Sequence, residues 1–467
     1  MKDIQTYARD HWFRAWLVMM IFIGAVAAGS GLAEAGDDPV GTWETLQLDL
    51  GEAVALGLAR NHRIHAADYE IERIRSDVRS VRGRFLPSLS AGYNWNHVDN
   101  HKARGQEDPD YLDQTQETFR VSLQQTVYAG GTVLNTYRKA KIQEEASILE
   151  KEGEERQLIR KIQEQFLLLL KAREDMRSLE QTVERLKVSM AAAESFAARQ
   201  LLPYVEVLQA RVELEEARQK LGQARNQVNI YEAQLNALLD LEGRFDVFYA
   251  GDLADIDLSR SFDMEKTVEN ALKNRTDLKY LEKRIEMSEK EKSIALGRKL
   301  PRVTLDVSGI DRTREYDQPG TNMFGQTFDR DQRNQYWTAG VSVDWQFFSG
   351  GENYYRRQGM DNEVNRFRRL YADRESIIRT EVRSAYLRLV EAKDRVAATR
   401  SNLETAREGF RMEQERLERR VGTLQALLNA QDRLTRADTG KNQAMLDYQL
   451  ALADLYYAMG VRNYALN

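Results

Sequence analysis

The chain has 467 residues, 30% charged and 42% apolar, with a formal net charge of −5 and no cysteine. This balance excludes a basic nucleic-acid binder and a disordered acidic tail, so no nucleic-acid partner is expected. Without thiols there is no disulfide, thiolate metal site, cysteine nucleophile or acylated N-terminal cysteine.

Lys2, Arg9 and Arg14 precede an apolar run from Ala15 to Ala28, and Ala33-Glu34-Ala35 follows before Gly36. That basic, apolar, small-x-small order reads as a secretory signal peptide over residues 1–35, because the run falls short of the ~20 apolar residues a spanning helix needs. A short segment, 36–47, leads into a first structural unit over 48–241. Its expected elements are a helix near 50–85, strands near 87–98 and 119–129, and helices near 132–200 and 204–240. A linker over 242–262 follows. The second unit, 263–461, repeats the order: a helix near 264–299, strands near 301–310 and 336–349, helices near 352–420 and 424–459. A tail over 462–467 ends the chain. No stretch after the signal offers a transmembrane helix.

The repetition can be tested residue by residue. "VSLQQTVYAGG" (Val121 to Gly131) matches "VSVDWQFFSGG" (Val341 to Gly351) at an offset of 341 − 121 = 220. Phe166 falls on Tyr386, and "VLQARVEL" from Val207 falls on "LLNAQDRL" from Leu427, at the same offset. Upstream, "FLPSLSAGYNW" from Phe85 matches "KLPRVTLDVSG" from Lys299 at 299 − 85 = 214, and the stretch around Asn61 resembles that around Asn274. The chain is an internal duplication.

Steps of three and four from Leu169 land on Ala172, Met176, Leu179, Val183, Leu186, Met190, Ala193 and Ala197. The segments from Val207 and Leu427 keep the same period, broken only at Lys441. A 3.5-residue repeat rich in alanine makes long antiparallel helices that pack closely as coiled coils. The strands instead alternate with period two. Leu89, Ala91, Tyr93 and Trp95 form one face, as do Phe119, Val121, Leu123 and Val127; Val303, Leu305 and Val307; and Trp337, Ala339, Val341 and Val343. Ser342 and its polar alternates form the other. Such strands suit a membrane barrel, with the apolar face to lipid and the polar face to a water-filled lumen. Gly130, Gly131, Gly350 and Gly351 mark the points where strand passes to long helix, since glycine tolerates the dihedrals of that junction. Pro87 and Pro301 mark the helix-to-strand junctions. Four strands cannot close a barrel, and an open edge in lipid leaves backbone groups unpaired, so the chain must oligomerise. A dimer of eight strands and a trimer of twelve both satisfy this count.

The duplicated unit, the two strand hairpins, the heptad helices and Val421-Gly422-Thr423 resemble TolC-type outer-membrane channels over roughly residues 48–461. The resemblance implies an α+β membrane protein whose four strands contribute to an oligomeric transmembrane β-barrel, with the coiled-coil helices forming a periplasmic α-barrel. It further implies a homotrimer in the outer membrane of a Gram-negative bacterium, reaching into the periplasm. The implied partners are a periplasmic adaptor (membrane fusion) protein and an inner-membrane pump of RND or ABC type. The function implied is the passive exit duct of a tripartite efflux or type I secretion system. Adaptor docking is expected at the helix-hairpin tips: Val421, Gly422 and Thr423 in the second half, where Gly422 would let a partner backbone approach, and Leu201, Leu202 and Pro203 in the first. The last three depart from the family's usual tip. An acidic pore entrance is expected just past the tips, where Glu206 fits; the second half offers only Ala426 and Asn429.

No HExxH, phosphate-binding glycine loop or G-x-S-x-G turn occurs, so no catalytic residue or cofactor is assigned and an enzyme is not expected. His62 and His65 lie three apart with no acidic or thiolate ligand nearby in sequence, and His97 and His101 border a polar loop; none is assigned to a metal. The alternative to a channel is an exported or soluble coiled-coil scaffold without a membrane barrel.

Overall fold

The computed structural model describes residues 45–98, 114–241, 246–253, 257–316, 319–321, 324–464 and 466. The expected signal peptide and His101 lie outside the described residues.

Strand β1 (Thr45–Leu48) leads into α1 (Leu50–Arg60), which begins with a reciprocal cap. Glu52 N–H donates to Asp49 at 2.7 Å, and Asp49 N–H donates to Glu52 at 2.9 Å. Then come α2 (His62–Gly83), β2 (Ser88–Val98) and β3 (Gln114–Ala129). The long α3 (Thr132–Ala198) and its return α4 (Tyr204–Leu238) complete the first unit. After β4 (Asp246–Tyr249), the second unit runs through α5 (Met264–Asn274), α6 (Thr276–Gly297) and β5 (Arg302–Tyr316). A small hairpin, β6 (Gly320–Thr321) and β7 (Thr327–Phe328), precedes β8 (Gln332–Asp344), α7 (Glu352–Glu418) and α8 (Leu424–Ala458). Both long helices have 67 residues and both returns have 35, so each long helix spans about 100 Å at 1.5 Å per residue.

Several expected elements differ. The helix expected over 50–85 is two helices hinged at Asn61, and that over 264–299 is two hinged at Arg275. The hinge residues have nearly the same backbone, φ −64°, ψ 123° and φ −61°, ψ 120°. The repeat therefore aligns Asn61 with Arg275, not with Asn274 as the sequence comparison placed it. An extended residue ends one helix and starts the next without disturbing the apolar period, which is why periodicity alone ran through it. The expected N-terminal segment and linker contribute β1 and β4, which pair in parallel. Both β3 and β5 extend further than expected at their polar ends, and the ladder of β8 stops at Asp344, its pairing partner being Arg302 at the start of β5.

The main sheet has the antiparallel order β2-β3-β5-β8, leaving β2 and β8 as edges. Its register obeys the duplication. Ser88 pairs with Gln124 in the first hairpin, and Arg302 pairs with Asp344 in the second, displaced by 214 on one strand and 220 on the other. The same offsets relate two side-chain bonds made by different chemistry. Gln125 Nε2 donates to the Phe85 carbonyl at 3.3 Å, and Trp345 Nε1 donates to the Lys299 carbonyl at 3.0 Å.

The largest core lies midway along the helices. Ile162, Phe166 and Leu169 of α3 meet Val382 and Leu389 of α7, Leu452 and Leu455 of α8, and the small β1–β4 sheet. Tyr249 is buried there edge-on against Phe166, and burial raises its phenol pKa well above the ordinary value. No helix among the described residues is long and apolar enough to cross a membrane.

Candidate functional site

The sheet has two chemically distinct faces. On one, Leu89, Leu123, Val307 and Ala339 lie in one row, and Ala91, Val121, Gly309 and Trp337 in another. Leu305 pairs with Val341, and Val303 with Val343, lower on the same face. Val341 and Val343 are exposed, as are aromatics at both ends of the band: Trp345, Phe347 and Phe348 below, Tyr93, Trp95 and Phe119 above. That is the pattern of a lipid-facing band with aromatic girdles. Val127, expected on this face, instead sits in a bulge, and Tyr128 takes the slot opposite Val303. The other face carries Ser90, Ser122, Ser308 and Thr338 in one row and Ser342 opposite Thr304 in another.

Each junction into a long helix takes two left-handed glycines, Gly130 (φ 61°) and Gly131 (φ 74°), then Gly350 (φ 60°) and Gly351 (φ 89°). An L side chain would be strained at each. At Gly130 space is limiting too, since a Cβ would fall 2.1 Å from the Gly297 carbonyl oxygen. Pro87 and Pro301 stand just before β2 and β5.

The helical tips share one backbone solution. After α3 the chain turns through Gln200 (φ 59°), and after α7 through Arg420 (φ 63°). Leu201 N–H donates to the Phe196 carbonyl at 3.0 Å, and Val421 N–H to the Arg416 carbonyl at 2.9 Å. These bonds satisfy carbonyls orphaned at the helix ends. Thr423 then caps α8, accepting from Ala426 N–H at 3.2 Å; Pro203, preset in φ, starts α4 without a side-chain cap.

The structure assigns the tip residues unequal tasks. Leu201 (53% exposed) and Val421 (69% exposed) point outward. Leu202 is half-buried against the apolar seam of its own hairpin and, with Leu201, Pro203 and Tyr204, lines an open hollow at the tip. At Gly422 a Cβ would lie 3.0 Å from Arg416 Cβ and 3.1 Å from Leu417 N, so its bareness serves its own hairpin's close turn as well. Glu206 lies in the first turn of α4, half-buried, with Oε2 buried and lacking a hydrogen-bond partner. Asn429 is exposed and accepts from Gln425 at 3.2 Å.

A buried polar ladder joins the two halves behind the tips. Asn442 donates to Asp175 (3.0 Å), Thr182 bonds Thr435 (2.9 Å), Arg185 Nε donates to Gln431 (2.9 Å), and Ser178 donates to Asp438. Burial lowers the pKa of the Arg185 guanidinium. Sequence reasoning missed this ladder because it read the seams for apolar residues only. His62 meets a carboxylate invisible in local sequence, Asp240 at 3.6 Å, but no cluster of three or more metal-ligating residue types occurs among the described residues.

Long paired helices carrying a two-edged amphipathic sheet have the form of a channel-forming subunit whose strands close a barrel only with further copies. A family model for outer membrane efflux proteins matches residues 54–240 and 267–461, and the chain belongs to that family. Its two matched stretches are the two repeats. The chain is thus the exit duct of a tripartite efflux system. Among solved structures it is similar to CusC (TM-score 0.75, 14% identity, covering 93% of this chain and 100% of that one). It is also similar to the Campylobacter jejuni CmeC outer membrane channel (0.73, 16%, 92% and 94%) and to the open state of the Neisseria gonorrhoeae MtrE channel (0.70, 16%, 93% and 96%). A search of curated protein sequences finds no match.

Proposed function

We propose that three copies of this chain close one twelve-stranded barrel in the outer membrane of a Gram-negative bacterium. Their helices continue as a tunnel into the periplasm, and an adaptor and an inner-membrane pump engage the tips, with Leu201, Val421 and Thr423 as the exposed docking residues. Glu206 and Asn429 would line the entrance. The observation that carries this reading is the repeat-related register. In the chain, β3 pairs with β5, Leu123 lying opposite Val307 and Val121 opposite Gly309. Applying the same offsets, 220 forward on β3 and 214 back on β5, brings β8 against β2 of a neighbouring copy. Val343 then faces the neighbour's Tyr93, and Val341 faces its Trp95. Apolar faces meet apolar faces, and Trp345, Gln346, Phe348 and Ser349, which have no ladder partner within the chain, gain one, while Phe347 takes the bulge position of Val127. Both open edges are thereby satisfied, as lipid demands.

The absence of cysteine makes the test clean. Val343→Cys combined with Tyr93→Cys should yield a covalent trimer on a non-reducing gel, since directly opposed residues have Cβ atoms about 4.5–5.5 Å apart. Val343→Cys with Leu89→Cys, four residues out of register, should not. A product that stops at two copies would overturn the trimer.

A further inference from the structure

On the outer half of the sheet, alternation sorts charge by face. Asp311, Glu315 and Glu117 take positions on the lipid-side face beyond the apolar band, where Arg333 Nη2 meets Asp311 at 2.8 Å. Arg120, Arg312 and Arg314 take positions on the opposite, polar face. Arg120 pairs with Gly92 and Ile310, Arg312 lies between Thr118 and Asn334, and Arg314 between Gln116 and Gln332. Every other group in those three rows is uncharged. Asp306, the nearest acid on this face among the described residues of the strands, lies two rows below Arg120 and accepts from Ser342 at 3.3 Å.

Among the described residues, none of the three cations has an ion-pair partner within the sheet. Arg314 Nη2 donates only to an amide, Gln116 Oε1, at 3.3 Å, and the Nε–H groups of both Arg312 and Arg314 are buried without an acceptor. A guanidinium held against uncharged amides and hydroxyls, with N–H groups unspent, keeps its field for whatever passes.

We propose that these arginines form an anion-selecting collar in the lumen just inside the outer mouth, favouring passage of anionic over cationic solutes. This rests on the trimeric-barrel reading, in which three copies place a threefold set of the cluster around one lumen. A charged ring at a constriction acts on every permeating ion. The bland alternative, solvated surface charge, would place both signs on each face; here the lipid-side face does carry both, with Arg333 matched to Asp311, whereas the three rows of the polar face carry only cations.

The test uses the purified full-length protein in planar bilayers under a potassium chloride gradient, with chloride and potassium as probe ions. Replacing Arg120, Arg312 and Arg314 together by Gln should lower the chloride-to-potassium permeability ratio by about threefold or more. The difference should shrink in 1 M salt, where the screening length falls to ~3 Å. Arg312→Lys keeps the charge and should retain the wild-type ratio, which separates charge from shape. Glu315→Gln, one residue away on the other face, should leave it unchanged. Channels that conduct normally but show the same reversal potential after the triple change overturn the collar and spare the channel reading. A Glu315→Gln shift as large as that of Arg314→Gln overturns the assignment of faces. Failure of the purified trimer to conduct at all refutes the channel reading itself, and the collar with it.

Discussion

The two helical hairpins share their backbone and differ in what holds them. Toward its tip the first hairpin is a continuous apolar seam, with Val183, Leu186 and Ala193 of α3 against Val207, Ala210, Leu214, Ala217 and Leu221 of α4. In the second, the separate buried cluster is the smaller one of Leu403, Leu434 and Ala437, with Ala406 and Phe410 half-buried beside it and Leu427 and Ala430 of α8 buried nearer the tip. What secures the second hairpin is lateral: Leu424 and Leu428 lean into the first hairpin's seam, and the polar ladder ties α8 to α3. Duplication conserved the path of the chain and left the seam chemistry free to diverge. Apolar burial, once lost, is not replaced by solvent, whereas water can substitute for most of a hydrogen bond. The second hairpin therefore leans more on lateral polar bonds than the first does.

The largest effect should come from the seam itself. Leu214→Ala, at a site 3% exposed, should cost about 3–4 kcal/mol in a well-packed surround. Leu434→Ala, 6% exposed in the sparser cluster, should cost about half that, because fewer neighbours are left facing a cavity. Hydrogen exchange read separately on α4 and α8 measures both, and equal losses of protection would break the comparison.

The hinges sharpen it next. Asn61 caps α2, accepting from Arg63 N–H at 3.0 Å, whereas its counterpart Arg275 is buried and held by Asp277 (2.7 Å) and Glu381 (3.0 Å). Asp277 also accepts from Arg374 Nε at 2.6 Å. Asp277→Ala should cost about 2–3 kcal/mol by leaving Arg275 underpaired, against about 1 kcal/mol for Asn61→Ala. Burial alone would raise the Asp277 pKa; the bonds and charges of Arg275 and then Arg374 outweigh it and hold the carboxyl at about 2, below its ordinary 3.8. Its contribution is thus fully present above the ordinary value and is lost as pH falls through about 2. The stability gap between wild type and Asp277→Asn should close over that acid window and stay constant near neutrality. Melting curves of the two proteins at matched pH decide this; a gap that instead changes between pH 6 and 8 would contradict the assignment.

Smaller still is the effect of cutting the lateral ladder. Thr435→Val removes the bonds to Thr182 and to Gln431 Nε2 and should cost about 1–2 kcal/mol, raising exchange in the tip half of α8 while leaving α4 unchanged. Smallest is a change that both tips should feel alike. Gln200→Gly and Arg420→Gly relieve the same left-handed strain and should each stabilise by less than about 1 kcal/mol. A response at one tip only would mean that the shared backbone is less equivalent than its dihedrals.

What the sequence determined by itself was everything written in a local period. The heptads marked the long helices and their seam residues, from Leu169 to Ala193, and the alternation marked the lipid-side residues Val341 and Val343. The repeat offset marked a duplicated unit. Tertiary structure decided what depends on atoms distant along the chain. The bulge that exchanges Val127 for Tyr128 follows from the register against β5, and the reason for Gly422 is the proximity of Arg416 and Leu417. The outer strand segments carrying Arg312 and Arg314 escaped notice because charged residues alternating with one another leave no apolar rhythm to read. Only when β5 is seen to run to Tyr316 do those charges resolve onto two faces, since side-chain direction in a strand is set by pairing, and pairing is a property of the fold.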